Sequence, residues 1–382
     1  MKYGYGLLAM VLACSACDGG SDSNDDGNDS GAEQCTVDEP LAVDAPSESN
    51  CAPASTDYQP VTDAENDAWP ACLPDDGAYH LVDATPSSIA RVEAYEQLME
   101  VLAADSPSAE DFTEARTIYA TEEGLESRLV RREDHHYDPV PEEDWVEGVD
   151  ADKQCTVEEN VAAYPERCAG PGRIAPILNE AFADGQTGEG SQAVNKARVQ
   201  AALLWFIHLS VYKEANTCLP KGKDCDSSWA YYTGGSDRAG GIGLAGVVRG
   251  LSDYAHQRIW DGFTAFRCWR ELYPDAVTLE ELPEDGVMFR EMADAQLSEA
   301  LWYGWALVVR DRLEQLGNSC GDQAEANWAF LQIAGPVLSE QAGRVDPNAN
   351  GSLTSLWSQS EAPAAEDITA AIATIDGIFG CG

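Results

Sequence analysis

The segment from Gln192 to Ala215 fixes most of what this chain can become. Its apolar residues recur at helical spacing, and its centre, Ala201 to Leu209, is apolar on every side except at His208. A helix that is apolar all round cannot lie on a surface, so other helices must surround it. The rest of the chain supplies them. Thr85-Pro86 offers an N-cap and a first-turn proline, followed by Ile89, Val92, Leu98, Met99 and Leu102 at helical spacing. A second helix is expected from Ser108, with Asp111 completing its cap, through Phe112, Ala115, Ile118 and Tyr119 to Gly124. Further helices are expected over roughly 244–272, 287–316, 323–343 (bent or broken at Pro336), 352–360 and 364–379. No run sustains strand alternation. The predicted fold is therefore all-α: a multi-helix bundle over residues 85–382, with long disulfide-stapled loops such as Pro- and acid-rich 138–172.

Charge and cysteine usage then narrow the setting. The chain has 67 Asp and Glu against 23 Lys and Arg, a formal net charge of −44, which excludes a basic surface for nucleic acid or anionic lipid. Met1-Lys2 followed by apolar Tyr5 to Ala16 is too short to span a bilayer. It resembles a bacterial lipoprotein signal peptide, which implies cleavage and acylation of a cysteine, and hence a cell-envelope protein, periplasmic or surface-facing, that touches the membrane only through its lipid. Val11 three residues before Cys14 fits the usual lipobox better; parity favours Cys17, because removal of residues 1–16 then leaves ten other cysteines, an even number suited to disulfides. Cys17 is taken as the lipidated residue. Residues 17–34 read as a disordered acidic tether, and 35–84 as an irregular, cysteine-containing arm; 17 acidic residues lie between Asp18 and Asp83, with no Lys or Arg between Lys2 and Arg91. The local disulfides Cys218–Cys225 and Cys155–Cys168 are expected. With no Cys-x-x-Cys after Cys17, the cysteines brace the fold rather than carry redox chemistry.

Several motifs match in text only. Asp22 to Glu33 satisfies the EF-hand formula, yet Asp29 occupies the normally apolar eighth position and no helix flanks it, so it predicts only weak Ca²⁺ affinity. Asp346-Pro-Asn348-Ala-Asn350-Gly351 has Trp357 at position twelve and reads as an Asn/Gly turn. Gly241-Ile-Gly243-Leu-Ala-Gly246 spells the dinucleotide fingerprint without a preceding strand, so no nucleotide is expected. Gly317-Asn-Ser319-Cys-Gly321 mimics a nucleophile elbow but follows a helix, and reads as its C-cap.

Only five histidines are present, and they mark the candidate chemistry. The run Arg132-Glu133-Asp134-His135-His136-Tyr137-Asp138 combines carboxylate, imidazole and phenol groups that suit iron or another borderline metal. On the central helix His208 and Tyr212 are four apart and share a face, whereas Glu214 points elsewhere. A carboxylate for His208 would have to come from a neighbouring helix, for which Asp253 and His256 are the first candidates, ahead of Glu291 and Glu299. No nucleophile–base constellation is evident, and no catalytic residue is predicted.

Asp111-Phe112, Ala115, Ile118-Tyr119, Gly124 and Ser127, together with Trp229-Ala-Tyr231-Tyr232-Thr-Gly234, Leu251, Tyr254-Ala255 and Arg258, resemble the low-iron-inducible periplasmic (Fe-assimilating) proteins. The resemblance spans roughly residues 85–380 and implies an extracytoplasmic helical protein that assists iron uptake without being an enzyme. It maps no ligand motif onto this chain. The expected function is thus an exported lipoprotein that binds iron, another metal or a metal complex. The alternative is an envelope interaction protein, its partner unidentified, whose tryptophans Trp302, Trp305, Trp328 and Trp357 include an exposed patch.

Overall fold

The computed structural model describes residues 40–43, 48, 51–60, 68–121 and 124–380. The leader, Cys17, the tether and the Asp22–Glu33 match lie outside the described residues. The described chain is all-helical. In order it forms α1 (Ser88–Val101), α2 (Ala109–Thr121), α3 (Leu125–Leu129), α4 (Glu158–Ala163), α5 (Ala175–Thr187), α6 (Gln192–Asn216) and α7 (Lys223–Thr233). These are followed by α8 (Leu244–Leu251), α9 (Asp253–Leu272), α10 (Glu284–Gly317), α11 (Gly321–Val345), α12 (Pro347–Trp357) and α13 (Ala365–Phe379). No described helix is long and apolar enough to cross a membrane.

Helix α6 occupies the centre, packed by α5, α7 and α11, and every residue from Ala201 to Val211 is buried. Helix α10 is the second organiser, lying against α9, α11 and α13. Indole N–H groups tie these layers together: Trp305 Nε1 donates to the Ala334 carbonyl (3.2 Å) and Trp269 Nε1 to that of Gly286 (2.9 Å).

Helix ends differ from expectation where capping decides them. Helix α1 starts at Ser88, after Thr85-Pro86, with Ser87 at its N-cap. The expected helix over 244–272 is two, because Ser252 turns extended and its hydroxyl accepts from Ala255 N–H (2.8 Å), starting α9 afresh. Helix α11 runs through Pro336 unbroken. Asp346 to Gly351 is no free turn: Asp346 caps α12, accepting from Asn348 N–H (2.9 Å). The Ser108–Asp111 capping box forms as expected, at 3.2 and 2.8 Å.

The arm is pinned on the bundle by polar groups that the helices hold out. Tyr58 N–H donates to Gln296 Oε1 (2.8 Å), and Gln296 Nε2 returns a bond to the Tyr58 carbonyl (3.0 Å). Buried Asp226 accepts the N–H groups of Val82 and Asp83 (both 2.9 Å) and the Tyr79 hydroxyl (3.1 Å). Cys72 bonds Cys268 on α9; Cys155–Cys168 and Cys218–Cys225 pair as expected, and Cys51 and Cys320 are disulfide-bonded too.

Candidate functional site

The site begins with a stapled loop. The Cys155–Cys168 disulfide fixes Arg167, and Arg167 organises the chain that follows α3. Its guanidinium donates to the carbonyls of Asp134 (3.0 Å) and Tyr137 (3.3 Å) and pairs with Glu133 Oε2 (2.8 Å), while its own carbonyl accepts Asp134 N–H (2.8 Å). Gly170 lets the two segments touch: a Cβ there would stand 2.0 Å from the Leu129 carbonyl oxygen. Held in this way, residues 132–134 are buried; Asp134 turns to one side, and Arg132 and Glu133 to the other.

One direction leads to the core. Asp134 Oδ1 accepts both the backbone N–H (3.0 Å) and the ring Nδ1 (2.8 Å) of His136. Burial opposes ionisation of Asp134, but its bonds to His136 outweigh burial and hold the carboxyl below its usual range. A carboxylate only accepts, so His136 Nδ1 is the donor in this bond, and the ring's lone pair, when the imidazole is neutral, is at Nε2. The ring stacks on Tyr212 (3.7 Å between centroids) and lies 4.7 Å from Trp302 and 6.3 Å from His208.

His208 is 1% exposed and sits 4.9 Å from Trp302 and 5.0 Å from Trp305. Burial, reinforced by His136 and only partly offset by Asp134, pushes its pKa down to about 3, so it is neutral across the physiological range. Neither of its ring nitrogens has a hydrogen-bond partner, nor does His136 Nε2. On the α10 side burial raises Asp294, opposed by Arg290 and His136. A cavity of about 10 Å³, lined by Asp134, His136, Trp205, Trp302 and Gln341 among others, adjoins the cluster; that is about the space of one water.

The structure thus brings Asp134, His136, His208 and Tyr212 together and sends the other predicted residues elsewhere. Glu214 pairs with Arg132 (3.2 Å) and Lys213 (3.5 Å). His135 lies 3.6 Å from Glu133, its pKa lowered to about 3 by burial and by Arg167, Lys213 and Arg132. His256 is fully engaged: Nε2 donates to the Arg238 carbonyl (3.0 Å), leaving Nδ1 to accept from the Tyr232 hydroxyl (3.2 Å). It has no lone pair left for a metal, and Asp253 is exposed. Glu291 is exposed, and Glu299 binds Arg258 (2.7 Å). No group of three or more His, Cys, Asp or Glu is placed to hold a metal ion among the described residues.

Sequence reasoning missed the box around the histidines. Trp302, Trp305, Trp328 and Trp357 are all buried, at most 5% exposed, so they form no exposed apolar patch; Trp302 and Trp305 wall the histidine cluster instead. The available signal was their three-residue spacing on α10, which puts both on one helix face. Comparison with known proteins adds no relative: no family model, no curated protein and no solved structure matches this chain.

Proposed function

We propose that this chain is an exported, lipid-tethered, non-enzymatic binding protein that takes a transition metal, iron among them, at the His136–His208 cluster. The observation that supports this most directly is that two histidines from separate segments meet in one buried aromatic box with three unpartnered ring nitrogens. Leaving buried polar atoms unbonded costs about 1–3 kcal/mol each. Neutral imidazole nitrogens are donors suited to Fe, Zn, Cu and Ni. The Asp134–His136 bond is the arrangement that orients a ligating histidine and raises the basicity of its other nitrogen. Because the chain supplies two imidazoles rather than a full ligand set, the remaining positions come from what the metal brings, which favours a metal complex over a bare ion.

Calorimetry and metal analysis on protein lacking residues 1–34 test this reading. The expected result is one Fe, Zn or Ni equivalent bound more tightly than by a scrambled acidic control, and lost in both His136→Phe and His208→Phe. Binding no tighter than the control, or binding that survives both substitutions, would refute the site.

A further inference from the structure

The second direction taken by the stapled loop leads to a different place. Arg132, two residues before Asp134, turns away from the site just described into a cleft of about 560 Å³, within the usual size of small-molecule sites. The cleft is walled by the start of α1, the chain after α3, the end of α6 and the start of α7.

Its lining is at odds with the rest of the molecule. In a chain of net charge −44, eight of the 23 Lys and Arg residues line this one cleft. Five carboxylates also line it, and they leave much of that charge uncompensated. Glu214 is committed to Arg132 and Lys213, Asp152 to Lys221 (3.1 Å), and Glu133 to Arg167. Burial, with Glu214 close by, raises the Asp224 carboxyl, which accepts from the Thr217 hydroxyl (2.8 Å). No described carboxylate lies within ion-pair distance of Arg91, Arg131 or Lys223.

Arg91 carries the argument furthest. It is 93% buried, since its exposure is 7%; its Nη2 donates to the Ser87 hydroxyl (3.2 Å), and its Nε has no partner. Arg132, 6% exposed, also keeps an unpartnered Nε. Both guanidiniums lie over the Tyr231 ring, at 5.9 and 5.5 Å from its centroid, so one aromatic side chain gathers them in the cleft. A guanidinium buried without a counter-charge is costly, and guanidinium forks match carboxylate and phosphate geometry. The overall negative charge does not forbid an anion here, because charges more than about 8 Å away are largely screened at physiological ionic strength.

We infer that this cleft binds a small polyanion, a molecule bearing two or more carboxylate or phosphate groups, on Arg91 and Arg132 with Arg131, Lys221 and Lys223 at the rim. The inference does not depend on the histidine cluster, and its test uses chelator-treated protein so that the two can fail separately.

Isothermal titration of the full chain with citrate and with pyrophosphate is the experiment. One equivalent of at least one anion is expected, and which one binds identifies the recognised group as carboxylate or phosphate. Arg91→Gln should weaken that binding tenfold or more, whereas Arg249→Gln, outside the cleft, should leave it unchanged. Should Arg91→Gln fail to fold by circular dichroism, the rim pair Arg131→Gln with Lys223→Gln decides, with at least a threefold loss expected. No heat with either anion, or equal binding by the cleft variants and Arg249→Gln, overturns the proposal.

Discussion

At the residue scale, His208 stores a dependence on acidity. Its pKa lies near 3 in the folded chain against 6.5 for an unburied histidine, so the unfolded state binds the proton first as pH falls. The contribution of the neutral ring is fully present above about pH 6.5 and is lost progressively toward pH 3. His208→Phe removes that term. Denaturant midpoints of the two proteins at pH 7.5 and 4.5 should therefore shift in favour of the variant at the lower pH, whatever the many carboxylates contribute to both. A constant difference between the two would show that His208 does not titrate in this way. His208 was legible in the sequence because it alone interrupts an apolar run. Its partnership with His136 was not: the Cys155–Cys168 staple was expected from its spacing, but not that Arg167 beside it would hold residues 133–137 against the central helix. Arg91, Arg131, Arg132 and Lys223 were less legible still: each looks like an ordinary surface cation, and only the meeting of α1, α7 and the chain after α3 collects them.

At the element scale, helix existence could be read from apolar periodicity, whereas helix ends and contacts followed local chemistry. The Ser252 cap divides α8 from α9 two residues after Gly250, a break that apolar periodicity runs straight across. Glycines set how closely the helices approach. A Cβ on Gly262 of α9 would lie 2.9 Å from the Leu297 Cα of α10, a backbone atom that cannot step aside. Alanine raises helix propensity by about 1 kcal/mol, but overpacking costs about 1–3 kcal/mol. Gly262→Ala should accordingly lose up to about 2 kcal/mol in chemical denaturation; a gain in stability would mean that α9 and α10 separate more easily than their packing indicates.

At the scale of the whole molecule, apolar helices make the bundle, and polar and covalent links bind the arm to it. Cys72–Cys268 spans 196 residues of chain and joins the arm to α9. Its removal by the double change Cys72→Ala, Cys268→Ala should cost about 2–5 kcal/mol. Amide exchange should report the loss chiefly in residues 68–84, with α6 and α10 keeping their protection; uniform loss across the bundle would make the arm part of the core rather than a layer upon it. The all-α class was readable from the sequence because periodicity is a local signal, while the docking of the arm through Gln296 and Asp226 is a tertiary matter. The same cross-link has a consequence for proteolysis. Trypsin-like proteases cut after Lys or Arg, and residues 3–90 contain neither, so the first cut available beyond Lys2 is at Arg91. Arg91 is buried, and even once it is cleaved, the peptide on its N-terminal side stays bonded to α9 through Cys72. Against this class of protease the chain between Lys2 and Arg91 can be nicked only at its two ends and, while the Cys72–Cys268 disulfide is oxidised, is not released from the bundle.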